Sequence, residues 1–114
     1  MSAMTSKDLS VAVVVSDATK SAQWYKEKLG FASSGAGHWV TVGPEGATWK
    51  LHLCQGQVEP GNTGIAIYCD NLETKVKQLK SVNVKFTRDF TKGSTSAMFE
   101  DLDGNIIWLK QGSP

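Results

Sequence analysis

A chain of 114 residues with 40% hydrophobic and 20% charged residues has the size and composition of one globular domain rather than of a disordered chain. The formal net charge of +1 gives no strong attraction for nucleic acid or an anionic membrane, and no run of 18 apolar residues is present. The first ten residues, MSAMTSKDLS, lack the apolar segment of a secretory signal. We therefore predict a single cytoplasmic domain over residues 1–114, with reduced thiols at Cys54 and Cys69.

The first half of the chain predicts a strand, a helix and a hairpin in that order. From Leu9, LSVAVVVSD is an apolar, β-branched run bounded by an aspartate, which is typical of a strand. A helix is predicted over Ala18 to Leu29. Asp17 or Thr19 can cap its first turn, and Gly30 suits the left-handed conformation that ends a helix. The stretch GHWVTVGPEGATWKLHLCQ then predicts two strands joined by a Gly-Pro-Glu-Gly turn.

The second half repeats this order. TGIAIYCDN predicts a strand near Gly64, and LETKVKQLKSVN predicts a helix over Leu72 to Ser81, with apolar residues on one side and lysines on the other. VKFTRDF predicts an extended segment, and TSAMFEDLDGNIIWLKQ predicts a hairpin closed by the turn DGN. A shift of 54 residues aligns Ser10 with Gly64, and a shift of 56 aligns LHLCQ with IWLKQ.

The two halves predict an α+β fold built from two βαβββ modules, the first over about 8–55 and the second over about 62–111. In each module one helix covers one face of a curved, mixed sheet. The uncovered faces of the two sheets are predicted to enclose a groove that can hold a small ligand. The alternative is an α+β sandwich with neither internal symmetry nor a groove.

Three segments, in order along the chain, carry a resemblance to a known family. SVAVVVSDATKSAQWYKEKLGF looks like that family's first strand and helix, and GIAIYCDNLETKVKQLKS looks like the same part of its second module. FEDLDGNIIWL is similar to its closing hairpin, Phe-x-Asp-Pro-x-Gly-Asn-x-x-Glu-Leu, with Leu102 in place of the proline. The chain thus resembles the vicinal oxygen chelate superfamily, which includes glyoxalase I, the extradiol dioxygenases, the fosfomycin-resistance enzymes and the bleomycin-resistance proteins.

In the enzymes of this family, a divalent metal is held in the groove by a His or Gln on the first strand of each module and a Glu on the last strand of each. The resemblance places these four positions at Ser10, Gly64, His52 and Trp108. A hydroxyl is a poor ligand for such a metal, and glycine and tryptophan side chains offer none. His52 alone does not make a site, so the resemblance implies a member that uses neither a metal nor another cofactor.

Six residues are the candidates for ligand contact: Trp108, Trp39, Tyr68, His52, Lys50 and Ser10. Strand parity places Trp108 on the side of its strand away from the helix, where its ring either fills the space of an absent metal or stacks on a ligand. His52 is either a hydrogen-bonded strand residue or an acid–base group. Lys50 either holds an anion or extends along a sheet edge.

Other aromatic and titratable side chains are interpreted as structural. Trp49 has the parity of the buried side of its strand and is predicted to pack under a helix. The stretch SSGAGH around His38 predicts a surface loop. Asp101 and Asp103 are interpreted as residues of a turn rather than of a metal cluster.

These features predict a metal-free protein that binds a planar, neutral or weakly anionic aromatic compound, similar in kind to the drug-sequestering members of the family. The alternative is a lyase or dioxygenase-type enzyme with a relocated metal site, or with metal-free chemistry at His52 and Tyr68. A third possibility is a structural or regulatory module whose groove is filled by its own side chains or by a partner. Exposed sheet edges in a short chain also favour a homodimer. No nucleic-acid or membrane partner is expected.

Overall fold

The computed structural model describes residues 11–37 and 39–114, which form two modules with the same order of elements. Module one consists of β1 (Val11–Val15), α1 (Ala18–Leu29), β2 (Ala32–Ala36), β3 (Trp39–Gly43) and β4 (Leu51–Gln55). Module two consists of β5 (Gly61–Cys69), α2 (Leu72–Ser81), β6 (Phe86–Arg88), β7 (Ser96–Glu100) and β8 (Asn105–Gln111). The order is βαβββ in both modules, as the repeat predicts.

The predicted bounds of α1 and α2 are both confirmed. The Asp17 carboxylate accepts the N–H of Lys20 at 3.0 Å, and the Asn71 side chain accepts the N–H of Thr74 at 3.0 Å. Each cap therefore satisfies a donor that the first turn of its helix leaves unpaired. Gly30 follows α1 with φ of 72°, the left-handed conformation that was predicted for it. No helix in the described part of the chain is long and apolar enough to cross a membrane.

Each module forms one four-stranded mixed sheet, and the α+β class is confirmed. The strand orders are β1-β4-β3-β2 and β5-β8-β7-β6. The first strand of each module runs parallel to the last, and the other neighbours are antiparallel. The helix packs on one face only, α1 against β2, β3 and β4, and α2 against β7 and β8. We call the opposite face of each sheet its helix-free face.

The strand register confirms the internal repeat and fixes the alignment of its two copies. Ala12 pairs with His52 between β1 and β4, and Ala66 pairs with Trp108 between β5 and β8. Ala12 and Ala66 are related by the shift of 54 residues, and His52 and Trp108 by the shift of 56. His52 in module one is therefore the structural counterpart of Trp108 in module two.

A glutamine at the end of the last strand makes the same bond in both modules. The Gln55 side-chain oxygen accepts the N–H of Ala18 at 2.9 Å, and the Gln111 side-chain oxygen accepts the N–H of Leu72 at 2.9 Å. Each amide satisfies the first backbone donor of its helix, which has no partner within the helix. The shared glutamine of LHLCQ and IWLKQ thus joins the last strand to the start of the helix.

Alternation along the strands buries the side of each sheet that faces its helix. Buried residues of the first sheet are Val13, Val15, Val40, Val42, Leu51 and Leu53. Those of the second sheet are Ala97, Phe99, Ile107 and Leu109, which share the core with Leu72, Val76 and Leu79 of α2. The intervening residues lie on the helix-free faces, where the family resemblance places the ligand.

Hydrogen bonds from the closing hairpin of module two hold it against module one. The buried Asp101 carboxylate accepts the Tyr25 hydroxyl at 2.8 Å, and Nδ2 of Asn105 donates to the backbone oxygen of Val14 at 3.0 Å. The same carboxylate accepts the N–H groups of Asp103 and Asn105, which is the turn role predicted for it. Burial, followed by the charge of Asp101, raises the pKa of Tyr25 far above its ordinary value, so its hydroxyl stays a donor.

The structure differs from the sequence expectations at two strands, β2 and β5. The stretch predicted as a surface loop before His38 is largely strand β2, which pairs with β3 although all five of its residues are exposed. Its small, polar residues carry no apolar alternation, so the strand gave no signal. Strand β5 begins at Gly61, three residues before the predicted start, because a bulge between Asn62 and Ala66 interrupts the pattern. The predicted strand start at Leu9, and His38 itself, lie outside the described residues.

We predict that Tyr25→Phe lowers the free energy of unfolding by about 1–3 kcal/mol, because it leaves the buried Asp101 carboxylate without its hydroxyl donor. Urea denaturation followed by circular dichroism measures this change. Tyr68→Phe is the matched control, since its hydroxyl lies on a half-exposed residue and its removal should change the free energy by less than about 0.5 kcal/mol. Equal effects of the two substitutions would show that the Tyr25–Asp101 bond contributes nothing specific.

Candidate functional site

Trp108 lies on the helix-free face of the second sheet, as strand parity predicts. Its neighbours Ile107 and Leu109 are 0% and 3% exposed on the helix side, whereas Trp108 is half-buried on the other side. The indole Nε1–H donates to the side-chain oxygen of Asn62 at 3.1 Å. This bond fixes the orientation of the ring and uses the only hydrogen-bond donor of the indole.

Asn62 bridges two of the positions that the family resemblance assigns to metal ligands. Its side-chain oxygen accepts the N–H of Gly64 at 3.0 Å as well as the indole N–H of Trp108. Gly64 has φ of 76°, which suits a glycine in the bulge of β5 and would strain a residue with a side chain. The Asn62 side-chain oxygen therefore joins the first and last strands of module two by accepting two hydrogen bonds. In the family's enzymes, a metal held by two ligands would be expected there.

Two cations flank the Trp108 ring. The Arg88 guanidinium carbon lies 5.3 Å from the ring centroid, and Nζ of Lys110 lies 5.4 Å from it, both within the range of a cation–π contact. Strand pairing explains both positions. Arg88 pairs with Met98, which pairs with Trp108, and Lys110 is two residues beyond Trp108 on the same strand face. The acidic residue of strands β6, β7 and β8 is Glu100, and its Oε2 atom lies 3.3 Å from Nζ of Lys85.

Beside Trp108, the small side chain of Ala66 opens onto a cleft between the modules. The cleft has a volume of ≈ 400 Å³ and is lined by Ala66, Tyr68 and other residues of β5 on one side and by Trp49 and Leu51 on the other. Tyr68 is 36% exposed and Trp49 is 40% exposed. The cleft therefore has an aromatic side chain from each module, and its Ala66 pairs with Trp108 across β5 and β8.

The prediction that Trp49 packs under a helix is wrong. Its ring meets the Phe31 ring edge-on at 5.7 Å, just beyond the end of α1, but remains exposed to the cleft. The side of the strand was correct, since Phe31 belongs to the core. The burial of the Trp49 side chain was overestimated because β4 begins only at Leu51. Trp49 lies in the connection before the strand and beyond the end of the helix.

His52 and Trp39 form a second aromatic pair, on the helix-free face of the first sheet. Their ring centroids are 4.7 Å apart with an angle of 27° between the planes, which is a stacked arrangement. Trp39 remains 47% exposed. Lys50 precedes β4 and lines a separate hollow of ≈ 230 Å³ with Thr41 and Gly43. The structure thus brings Trp39 together with His52, and it leaves Lys50 at the end of the same sheet.

The structure adds contacts that the sequence interpretation missed. Arg88 and Lys110 flank Trp108, Asn62 anchors it, and Trp49 faces the cleft beside it. Tyr68, a predicted candidate, pairs with Lys110 across β5 and β8. Lys110 could have been found from parity, because it lies two residues after Trp108. Ser10, another predicted candidate, lies outside the described residues.

The residues present do not fit the divalent metal that the family's enzymes use. Trp108 presents a bonded N–H, and Gly64 presents no side chain. Across residues 11–37 and 39–114, no three side chains of His, Cys, Asp or Glu are grouped so that they could hold a metal ion. The aromatic surface and the positive charge beside it can recognise an aromatic or anionic compound.

Comparison with known proteins places this fold among related chains. Residues 9–109 match the family model described as Glyoxalase/Bleomycin resistance protein/Dioxygenase superfamily. A structure of a member of that superfamily from Sphaerobacter thermophilus DSM 20745 is similar with a TM-score of 0.82 and 26% identity, over 96% of this chain and 100% of that one. TnmS3, an antibiotic binding protein from Streptomyces sp. CB03234, is similar with a TM-score of 0.76 and 30% identity, over 97% of this chain and 100% of that one. YetH of Bacillus subtilis (strain 168) is 29% identical over 114 residues, which cover 89% of this chain and 94% of YetH.

We predict that Trp108→Glu binds no stoichiometric metal, because one carboxylate beside Gly64 supplies too few ligands. The variant is incubated with Zn²⁺, Mn²⁺ or Ni²⁺, dialysed, and measured by inductively coupled plasma mass spectrometry. Trp108→Gln is the control that changes shape without adding a charge. One metal ion per chain in the glutamate variant alone would contradict this account, since it would reveal ligands already in place.

Proposed function

The chain belongs to the Glyoxalase/Bleomycin resistance protein/Dioxygenase superfamily, and from that premise we propose that it binds a planar aromatic compound without a metal. The bound compound lies against Trp108 and extends over Ala66 into the cleft between the modules. The observation that carries this proposal is the Trp108 indole, held by Asn62 and flanked by Arg88 and Lys110.

Aromatic surface supplies the main attraction in this proposal. Trp108, Tyr68 and Trp49 are rigid side chains that offer large contact areas at a small cost in conformational entropy. Partial exposure of all three leaves area that a ligand can cover. A cleft of ≈ 400 Å³ lies within the range of small-molecule sites, which run from about 300 to 1,000 Å³.

Charge gives the proposed site its selectivity. Arg88 and Lys110 place two positive charges at the ring, and Glu100 on the same side is close to Lys85. A cationic compound would meet repulsion there, whereas a carboxylate or phenolate would be attracted. We therefore assign a neutral or weakly anionic compound to this site.

Sequestration of a toxic or antibiotic compound is the role that best accords with these properties. TnmS3 is an antibiotic binding protein, and it is 30% identical to this chain over nearly its whole length. A binding protein needs no acid–base pair or metal, and Trp108 and Gly64 supply neither ligand nor base. A fixed aromatic site is sufficient to hold a compound away from its target.

Metal-free catalysis at His52 is the second candidate. The observation in its favour is that His52 is the structural counterpart of Trp108 and is stacked on the exposed Trp39. An imidazole next to an open aromatic surface can move a proton on a bound compound. Recovery of a bound compound chemically unchanged after prolonged incubation favours the binding protein, and its conversion by the wild type but not by His52→Phe favours the enzyme.

We also propose that the protein is a homodimer. Val14 and Trp39, on the helix-free face of the first sheet, are 39% and 47% exposed and leave apolar area that a partner can cover. Strands β1 and β5 are at the ends of their sheets, where unpaired backbone groups favour association. A second copy that covers these faces would bury both features at once.

Sedimentation velocity at micromolar concentration tests the assembly. We expect a species of twice the 12.3 kDa chain mass, because the exposed apolar faces favour pairing. Val14→Lys should shift the equilibrium toward the monomer, whereas Lys77→Glu, a charge change on the exposed side of α2, should not. Wild-type protein that sediments only as a monomer would rule out the dimer.

Binding of 2-naphthoate, a planar aromatic anion, tests the site directly by isothermal titration calorimetry. Trp108→Ala should weaken binding by about 1–3 kcal/mol, the usual effect of removing one well-packed aromatic contact. Trp24→Ala is the matched control. Trp24 lies in α1, where its ring contacts that of Tyr25, and its substitution should leave the affinity unchanged. 2-Naphthamide, which lacks the charge, should bind more weakly than 2-naphthoate to the wild type. Equal affinity of the wild type and Trp108→Ala would exclude Trp108 from the site.

A further inference from the structure

A second cavity lies between the modules on the helix side of the sheets. Its volume is ≈ 260 Å³. One wall comes from module one, where residues 29–31 follow α1 and Pro44 and Glu45 belong to the connection after β3. The other wall comes from β5, α2 and the buried side of the second sheet. Neither the family positions nor the Trp108 site accounts for this cavity.

The floor of the cavity is apolar. Phe31, Leu79, Phe99 and Leu109 line it, and they are 7%, 3%, 1% and 3% exposed. A cavity of about 150 Å³ with such a lining is large enough to bind benzene in a protein core. The larger volume between these modules therefore has room for a second fused ring.

The rim of the cavity is polar and carries balanced charge. Glu45 and Lys75, one acidic and one basic residue, line it from opposite walls, and Tyr68 of β5 also lines it. Cys69 is also at the rim, and its thiol lies 3.5 Å from the backbone oxygen of Lys110. Burial raises the pKa of the Cys69 thiol, Lys75 lowers it by less, and Asp70 raises it by less again. The thiol is therefore neutral.

We propose that this cavity is a second binding site, for an uncharged aromatic molecule of one or two fused rings that carries one hydrogen-bond donor. The apolar floor accepts the rings, and the Glu45 carboxylate accepts the donor at the rim. A net charge on the ligand would be unfavourable, because the rim offsets its own ammonium with its own carboxylate and the floor offers no polar group.

The cavity lies on the helix side of the second sheet, and Trp108 lies on the opposite face. Ile67 and Leu109 pair with each other and line the cavity, whereas Ala66 and Trp108 pair with each other on the helix-free face. Ile67 and Tyr68 border both the cavity and the cleft between the modules, so the two sites meet along β5. The proposal therefore does not depend on the function assigned to the Trp108 site.

The two free cysteines report on the two sides separately. Cys69 is at the rim of the cavity, and Cys54 pairs with Trp39 on the helix-free side of β4, two residues from His52. Indole is a suitable probe, since it is uncharged, has two fused rings and carries one N–H donor. Alkylation by iodoacetamide, with each site quantified by peptide mass spectrometry, measures the access of reagent to both thiols in the full chain.

We expect indole at about ten times its Kd to slow alkylation of Cys69 about tenfold and to leave Cys54 unaffected, because a bound probe blocks the reagent in proportion to occupancy. Protection of Cys54 alone would overturn the proposal by placing indole on the helix-free face. Unchanged rates at both thiols, up to the solubility limit of indole, would also overturn it.

A substitution that fills the rim provides an independent measurement. Cys69→Leu adds volume at the mouth of the cavity and should weaken indole binding, followed by saturation-transfer NMR, by about tenfold. Cys54→Leu is the matched control and should leave indole affinity unchanged. Equal affinity of indole for the wild type and a folded Cys69→Leu variant would place indole elsewhere.

Discussion

The hydrogen bond from the Tyr25 hydroxyl to the buried Asp101 carboxylate holds the two modules in one arrangement. Asp101 also accepts both the backbone and the side-chain N–H groups of Asn105, and Asn105 donates in turn to Val14. Strand β8 starts at Asn105, so its position relative to β1 is set by this network. Trp108, three residues later, and the cleft between the modules depend on that position.

The bonds that hold this arrangement are made by residues other than those at the family's metal-ligand positions. The network at Asp101 and the glutamine bonds at the helix starts join strands and helices without the residues at the metal-ligand positions. In module two, the Asn62 amide joins the first and last strands by accepting from Gly64 and Trp108. Substitution at those positions can therefore change the chemistry of the site while the modules stay in register.

The helices and the repeat could be predicted because their signals are local. Asp17 and Gly30 mark the ends of α1 by their own conformational preferences, and the apolar alternation of β4 and β8 marks the buried side of each sheet. Trp108 could be placed by alternation alone. Strand β2 could not be predicted, because its pairing with β3 is made by backbone groups that any residue carries.

Contacts between distant segments could not be predicted either. Arg88 reaches Trp108 across β7, and the strand pairing that permits this contact is set by the shift between β6 and β7. Asn62 reaches Trp108 because a bulge displaces the start of β5. Trp49 faces the cleft because β4 begins two residues later than alternation suggests. Each contact depends on a local irregularity in a strand, which alternation along the sequence does not encode.

Tryptophan side-chain NMR can show whether a planar compound rests against the Trp108 indole. The chain has four tryptophans, so a ¹⁵N-labelled sample gives four resolvable indole N–H signals, and Trp108→Phe assigns the signal of interest. On titration with 2-naphthoate, we expect a saturable shift of the Trp108 signal and an unchanged Trp24 signal. A saturable shift of other tryptophans while Trp108 stays unmoved would contradict this expectation.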